Sequence, residues 1–416
     1  MNTTLTPSVT GGNIKAIASK SVAHRLLICA AFAKSTTRIL CREINEDIEA
    51  TVRCLTALGA DIKREPPYYY VTPVTKLKKD ALLDCGESGS TLRFLLPVAV
   101  MLGSESSFLM KGRLPERPLS PLREELERCG AVFSEAGSNP LVCKGRITEN
   151  EFSIRGDVSS QFISGLLFAL AVSRRSGRLN IIGSLESAPY VDITADALRR
   201  FGVEVKETAD GYEIKNNQGL VSPTDVVVEG DWSNAAFPLA LGAMGKEAVT
   251  VSGLDLDSRQ GDRALLGLLG KMGARTELCG DSVTVYPSAL HGIDIDASQI
   301  PDLVPILATV AAVAEGETVI YNAERLRIKE SDRLHAVSEM LRALGGVAEE
   351  TADGLRIVGV PMLSGGEISS FGDHRMVMST AVASVRCKNP VTIKGAEAVA
   401  KSYPSFFEDM RGIGLK

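Results

Sequence analysis

Leu198-Arg199-Arg200-Phe201-Gly202-Val203-Glu204-Val205 is the stretch on which the fold turns. An amphipathic run ends in Leu-x-x-x-Gly and passes at once into a β-like segment. A glycine there reads as the residue just past a helix, where the backbone must turn left-handed before a strand begins. The same ending recurs at Leu55 to Gly59, Leu126 to Gly130, Leu269 to Gly273 and Leu341 to Gly345. Successive glycines of the series stand 71, 72, 71 and 72 residues apart, and a degenerate sixth copy ends at Gly412 or Gly414. Such a period is the mark of repeated supersecondary units.

A second series runs in step with the first. Polar, helix-starting residues open nearly all-apolar helices at Ser19-Lys20-Ser21, Glu87-Ser88-Gly89-Ser90, Val158-Ser159-Ser160-Gln161, Gly230-Asp231-Trp232-Ser233, Ile300-Pro301-Asp302 and Gly372-Asp373-His374-Arg375. From Ser88 the steps to Ser160, Trp232, Asp302 and His374 are 72, 72, 70 and 72 residues. Each unit of about 70 residues reads as strand, buried helix, strand, amphipathic helix and two further strands, βαβαββ. Helices such as Phe162 to Val172 are apolar on nearly every face, so they must be covered on every face, with sheets outside. The expected fold is therefore α/β (α+β): two inside-out lobes of three repeats, with buried parallel helices and a cleft between the lobes. Ser222-Pro223-Thr224 breaks the pattern just before a boundary near residue 229.

At 416 residues the chain is too long for one ordinary core. Its 44% hydrophobic and 23% charged residues describe a globular protein. A net charge of −5 without a basic block argues against nucleic acid or an anionic membrane as partner. The eight cysteines form no CxxC pair and are expected as reduced core thiols. None of the four histidines stands in a metal-ligand spacing, so no catalytic zinc is expected. The N-terminal residues lack the features of a signal or transit peptide and no apolar run could span a bilayer, so the expected location is cytoplasmic.

If the buried helices of a lobe run parallel, their N-termini present unpaired N–H groups and partial positive charge on one face, which suits phosphate or carboxylate. A plainer reading is that Ser, Asp and Gly are simply good N-caps. Cations gather at the same junctions: Lys20, Arg25, Arg93 and Arg117, the run Arg325-Leu-Arg-Ile-Lys-Glu-Ser-Asp-Arg333, then Arg375 and Lys401. Alone, the 325–333 run reads as a solvated helix start with mixed-sign pairs. Several arginines around one cleft imply a substrate with more than one anionic group.

The segments Ser19-Lys-Ser-Val-Ala-His-Arg25, Glu87-Ser-Gly-Ser-Thr-Leu-Arg93, Val158-Ser-Ser-Gln161, Arg327-Ile-Lys-Glu-Ser-Asp-Arg333, Gly372-Asp-His-Arg-Met376 and Ala400-Lys-Ser-Tyr-Pro404 resemble the 5-enolpyruvylshikimate-3-phosphate synthase family over nearly the whole chain. The resemblance implies a transferase of the shikimate pathway that uses neither a metal nor an organic cofactor. It implies phosphoenolpyruvate among Lys20, Gly89, Arg117, Arg333, Arg375 and Lys401 with Gln161 nearby, and shikimate 3-phosphate on Ser21, Arg25, Ser159, Ser160, Gln161, Ser187, Asp302 and Lys329. It further implies a monomer whose lobes close on substrate, and lobes of residues 20–228 and of 1–19 with 229–416.

Enolpyruvyl transfer needs a proton delivered to a CH₂ carbon and another taken from a hydroxyl, so positioned acids and bases are required. Lys20, Asp302 and Glu330 are assigned to that traffic, with Asp302 nearest the hydroxyl. A cationic Lys in an Arg-rich site would have its pKa lowered by like charge. For Glu330 the plain alternative is an ion pair with Lys329 or Arg333. Ala16-Ile17-Ala18, Trp232, Asn234 and Arg325 depart from the family's usual residues, and Gly89 implies sensitivity to glyphosate. Two rivals are a UDP-N-acetylglucosamine enolpyruvyl transferase, whose loop Cys is missing from Lys111-Gly-Arg-Leu-Pro-Glu-Arg-Pro118, and a non-catalytic anion sensor.

Overall fold

The computed structural model describes residues 1–215 and 219–416. The chain divides into two compact units, Ala18–Val228 and the discontinuous pair Met1–Ile17 with Glu229–Lys416. Each unit has its own apolar core.

The repeat takes the expected βαβαββ form. In the third copy the strand Glu151–Arg155 leads into the helix Ser160–Ser173, the strand Gly177–Ile182, the helix Ala188–Arg200 and the hairpin of Lys206–Thr208 with Gly211–Ile214. The first strand pairs parallel to the second, and the second pairs antiparallel to the last. On the second strand Leu179 is fully buried, while its neighbour Arg178 faces out. The helix between parallel strands is hydrophobic all round, and only its first and last turns reach the surface. Gly202 then turns at φ +79°, as the Leu-x-x-x-Gly reading required, and the sixth copy ends at Gly414, φ +99°, rather than at Gly412.

Two features depart from a simple tandem reading. The strand Asp225–Val227, which precedes the helix Trp232–Met244 in sequence, completes the sheet of Thr37–Leu40 in the other unit. Conversely, Gly12–Lys15 precedes the helix Lys20–Ala31 yet pairs in parallel with Val249–Ser252. First and fourth repeats thus exchange their opening strands. The sixth sheet has three strands, because Asn2–Leu5 pairs antiparallel to Val391–Lys394 where a closing hairpin would stand.

All eight cysteines are unbridged and seven are buried; Cys279, on the outer face of Arg275–Cys279, is exposed and corrects the expectation of core thiols throughout. No helix among the described residues is long and apolar enough to cross a membrane.

Candidate functional site

Five of the six buried helices are capped by the side chains singled out above. Ser19, Ser88, Ser159, Asp231 and Asp373 each accept a hydrogen bond from a first-turn N–H. The fifth copy differs: Pro301–Leu303 forms a 3₁₀ turn before Val304–Ala311, without a side-chain cap. Pro301 has no N–H to satisfy, which leaves the Asp302 carboxylate for other partners.

In the unit Ala18–Val228, Lys20 is the first residue of its helix, and its Nζ donates to Asp47 Oδ2 at 2.8 Å. Asp47 lies in the first turn of Glu46–Leu58 and was missed by the sequence reading. Ser21 contributes its main-chain oxygen to Arg25 Nη1 at 2.7 Å. The rest of the Arg25 fork is turned inward, with Nε on Thr194 Oγ1 at 2.7 Å and Nη2 on Tyr190 O at 2.8 Å. Beside it, burial first and then Lys20 and Arg25 hold the His24 imidazole well below its usual range, so it stays neutral.

Gly89 opens the helix Gly89–Leu102 directly beneath two guanidinium groups. A Cβ built there would lie 2.6 Å from Arg93 Nη1 and 2.8 Å from Arg117 Nη1. Arg93 in turn donates to Gln161 Oε1 at 2.9 Å, and Gln161 Nε2 donates to Ser90 Oγ at 3.0 Å. The structure therefore brings Gly89, Arg93, Arg117 and Gln161 together. Ser160 is buried at the first position of its helix, after Ser159. Ser187 is buried too, in a left-handed conformation at φ +54° just ahead of Ala188–Arg200.

In the other unit the charged run 325–333 is broken up rather than continuous. Glu324–Ile328 is a 3₁₀ turn, Lys329 is extended, and a helix begins only at Arg333. Arg325 donates to Ser298 O, and Arg327 turns to Asp332 and Glu350. Arg333 goes inward, 1% exposed, and spends its fork on three carboxylates: Asp302 Oδ1 at 2.9 Å, Glu330 Oε2 at 2.7 Å and Asp373 Oδ2 at 2.8 Å. The plain reading of Glu330 as an ion-pair partner is thus realised with Arg333. Asp373, both cap and acceptor, is a second residue that sequence reasoning passed over although it lay within a quoted motif.

Arg375 donates Nη2 to Asp302 Oδ2 at 3.0 Å and to Ser233 Oγ at 2.7 Å, and Nη1 to the Asp302 main-chain oxygen at 2.9 Å. Starts of the helices at Trp232 and His374 and the turn at Pro301 consequently converge on Asp302. Burial raises the Asp302 carboxyl, but Arg375, Lys329 and Arg333 outweigh it and hold it well below the usual carboxylate range. Lys329 moves the other way: burial, with Arg333 and Arg325, pulls its ammonium down to about 8 against the opposing effect of Asp302 and Glu330. Burial is the largest of these causes. Lys401 donates to Gly372 O at 3.0 Å, at the turn that leads into Asp373.

Two of the departures from the family's usual residues lie buried at one helix start. Trp232 is fully buried, its N–H taken by Asp255 O at 2.9 Å, and Asn234 accepts from Ser402 at 3.5 Å.

Buried helices whose starts carry caps, cations and a carboxylate, sheathed by sheets, define the enolpyruvyl transferase fold. The structure of the enolpyruvyl transferase NikO from Streptomyces tendae shares it with a TM-score of 0.78 at 20% identity, covering all of this chain and 97% of that one. An EPSP synthase structure from Acinetobacter baumannii matches at 0.82 and 26% identity, covering 100% of this chain and 98% of that one. The family model of EPSP synthase (3-phosphoshikimate 1-carboxyvinyltransferase) matches residues 6–410, and the chain belongs to that family. Proteins named 3-phosphoshikimate 1-carboxyvinyltransferase from Clostridium kluyveri and Clostridium perfringens are each 43% identical to it, over 99% of this chain and 96% and 97% of theirs.

Proposed function

We propose that this chain transfers the enolpyruvyl group of phosphoenolpyruvate to the 5-hydroxyl of shikimate 3-phosphate, releasing phosphate. The observation that carries this is the state of Asp302, a carboxylate kept ionised by Arg333 and Arg375 where helix starts meet. Simple anion binding has no use for a carboxylate in that place, so the sensor reading is not favoured. The rival sugar-nucleotide transferase lacks support, since no cysteine occurs in the 3₁₀ turn Leu114–Glu116 or its flanks at 111–118.

In this reading Asp302 takes the hydroxyl proton as the oxygen attacks the phosphate-bearing carbon. The CH₂ carbon receives a proton, and a tetrahedral intermediate forms. Loss of that carbon proton then re-forms the double bond as the C–O bond to phosphate breaks. Lys20 and Glu330 serve the carbon proton, while Arg93, Arg117, Arg333, Arg375 and Lys401 oppose the charge of phosphoenolpyruvate. Shikimate 3-phosphate is taken by Ser21, Arg25, Ser159, Ser160, Gln161, Ser187 and Lys329. The two units act as the lobes of one enzyme, working as a cytoplasmic monomer; seven buried thiols suit a reducing compartment.

The test is phosphate release from both substrates in the presence of chelator, beside Lys20→Met. Release that needs both substrates and vanishes in the variant supports the reading. No release, with UDP-N-acetylglucosamine also inert, overturns it.

A further inference from the structure

Asp262 has no part in the scheme above, yet it is a buried carboxyl, 4% exposed, in the 3₁₀ turn Gly261–Ala264. Its turn is braced against the start of Trp232–Met244. Gln260 Nε2 donates to Glu229 Oε1 and to Gly230 O, both at 2.8 Å, and Gln260 Oε1 accepts from Trp232 N at 3.1 Å. Ser258 Oγ donates to Glu229 Oε1 at 2.7 Å.

From that brace the Asp262 carboxyl meets the Ser233 hydroxyl. A hydroxyl has one proton to give and two lone pairs to share. Ser233 gives its proton to Asp262 and accepts from Arg375 Nη2 at 2.7 Å, and the same Nη2 reaches Asp302. A line thus runs carboxylate, hydroxyl, guanidinium, carboxylate, through four separate elements. Holding a carboxyl here is costly. Burial and then the charge of Asp302 raise it to about 6, Arg375 and Ser233 pull it down, and Asp231 raises it. A neutral side chain would spare the fold that cost.

We propose that Asp262 is a positioning residue which, acting through Ser233, fixes the guanidinium of Arg375 for the phosphate-bearing substrate. This rests on the reading of Arg375 as a phosphoenolpyruvate ligand. Asp262→Asn keeps the shape but weakens acceptance from Ser233, so Arg375 loses its registration while the fold is relieved of a buried charge.

The experiment compares wild type, Asp262→Asn, Ser233→Ala and the double variant. Expected for Asp262→Asn is a KM for phosphoenolpyruvate raised roughly tenfold, the worth of one charge-assisted hydrogen bond. The KM for shikimate 3-phosphate should be unchanged and the melting temperature at pH 7 no lower. The double variant should lose no more than Ser233→Ala alone. An unchanged phosphoenolpyruvate KM, multiplied losses in the double variant, or a lowered melting temperature with both KM values raised overturns the proposal. Calorimetric titration of inorganic phosphate separates it from the functional reading. Weaker phosphate binding by Asp262→Asn supports the positioning even if wild type turns over neither substrate, and equal affinity overturns it.

Discussion

Arg375 holds Asp302 at two points, its Nη2 on the carboxylate at 3.0 Å and its Nη1 on the main-chain oxygen at 2.9 Å. Only a planar fork can do both, and a lysine ammonium is a point charge on a flexible stem. Arg375→Lys should therefore lower kcat/KM by about a hundredfold while leaving the melting temperature within a few degrees. Steady-state kinetics with a parallel melt checks this; an activity near wild type would mean that the fork is dispensable.

Asp302→Asn should lower kcat by about 10²–10⁴-fold, the usual worth of a positioned base. Its signature would be a loss in kcat with KM for phosphoenolpyruvate little altered. Equal loss in a substrate-binding assay would instead make Asp302 a ligand alone.

At Gly89 an added methyl group would press on the tips of Arg93 and Arg117 at 2.6 and 2.8 Å, which are ends of flexible side chains and can move. Gly89→Ala should fold normally, raise the KM for phosphoenolpyruvate roughly tenfold by displacing one charged contact, and weaken inhibition by glyphosate. Wild type should be inhibited well below the millimolar range. Inhibition titrations on both proteins decide it.

Lys329 supplies a pH signature. Its folded value of about 8 lies below the ordinary 10.5, so the charged form is the one the fold disfavours. That cost is fully present below about pH 8 and fades as pH climbs toward 10.5. The melting temperature of wild type should accordingly gain on that of Lys329→Met across this window. Over the same range Lys329 loses its charge, and the KM for shikimate 3-phosphate should rise above pH 8. Lys329→Arg, charged throughout, should abolish the rise.

Trp232 is the chain's single tryptophan and is fully buried, with its N–H on Asp255 O. Trp232→Ala should cost about 3–5 kcal/mol, and Trp232→Phe about 1 kcal/mol for the hydrogen bond. Denaturant titration followed by circular dichroism measures both. Trp232 fluorescence in wild type reports the unit Met1–Ile17 with Glu229–Lys416 by itself.

Most of the fold was legible because its signals are local. A glycine that must turn left-handed and a helix with no polar face mark themselves wherever they recur, and the period follows. The exchanged strands Gly12–Lys15 and Asp225–Val227 were less so, because each carries the same alternating pattern as any other opening strand and nothing in that pattern names its partner. Within the site, Lys20, Arg375 and Asp302 stood at repeat positions and could be picked out. Asp47, Asp373 and Asp262 gain their meaning only from residues brought to them by folding. Asp262 meets Ser233, Asp302 and Arg375 from three distant stretches of chain, so no spacing announces it.

The main-chain N–H of Asp231 donates to Ile17 O at 2.8 Å, so the chain's way out of the discontinuous unit and its way back in lie side by side. On the ribosome this imposes a waiting time. Residues 1–17 leave the exit tunnel first but cannot find their partners until all of Ala18–Val228 has been made. At about 5–20 residues per second the delay is roughly ten to forty seconds. During it the strand Gly12–Lys15 stands as an unpaired ribbon beside an already foldable neighbour, and its mixed sequence Gly-Asn-Ile-Lys, with one buried side chain, gives a stray strand little to grip.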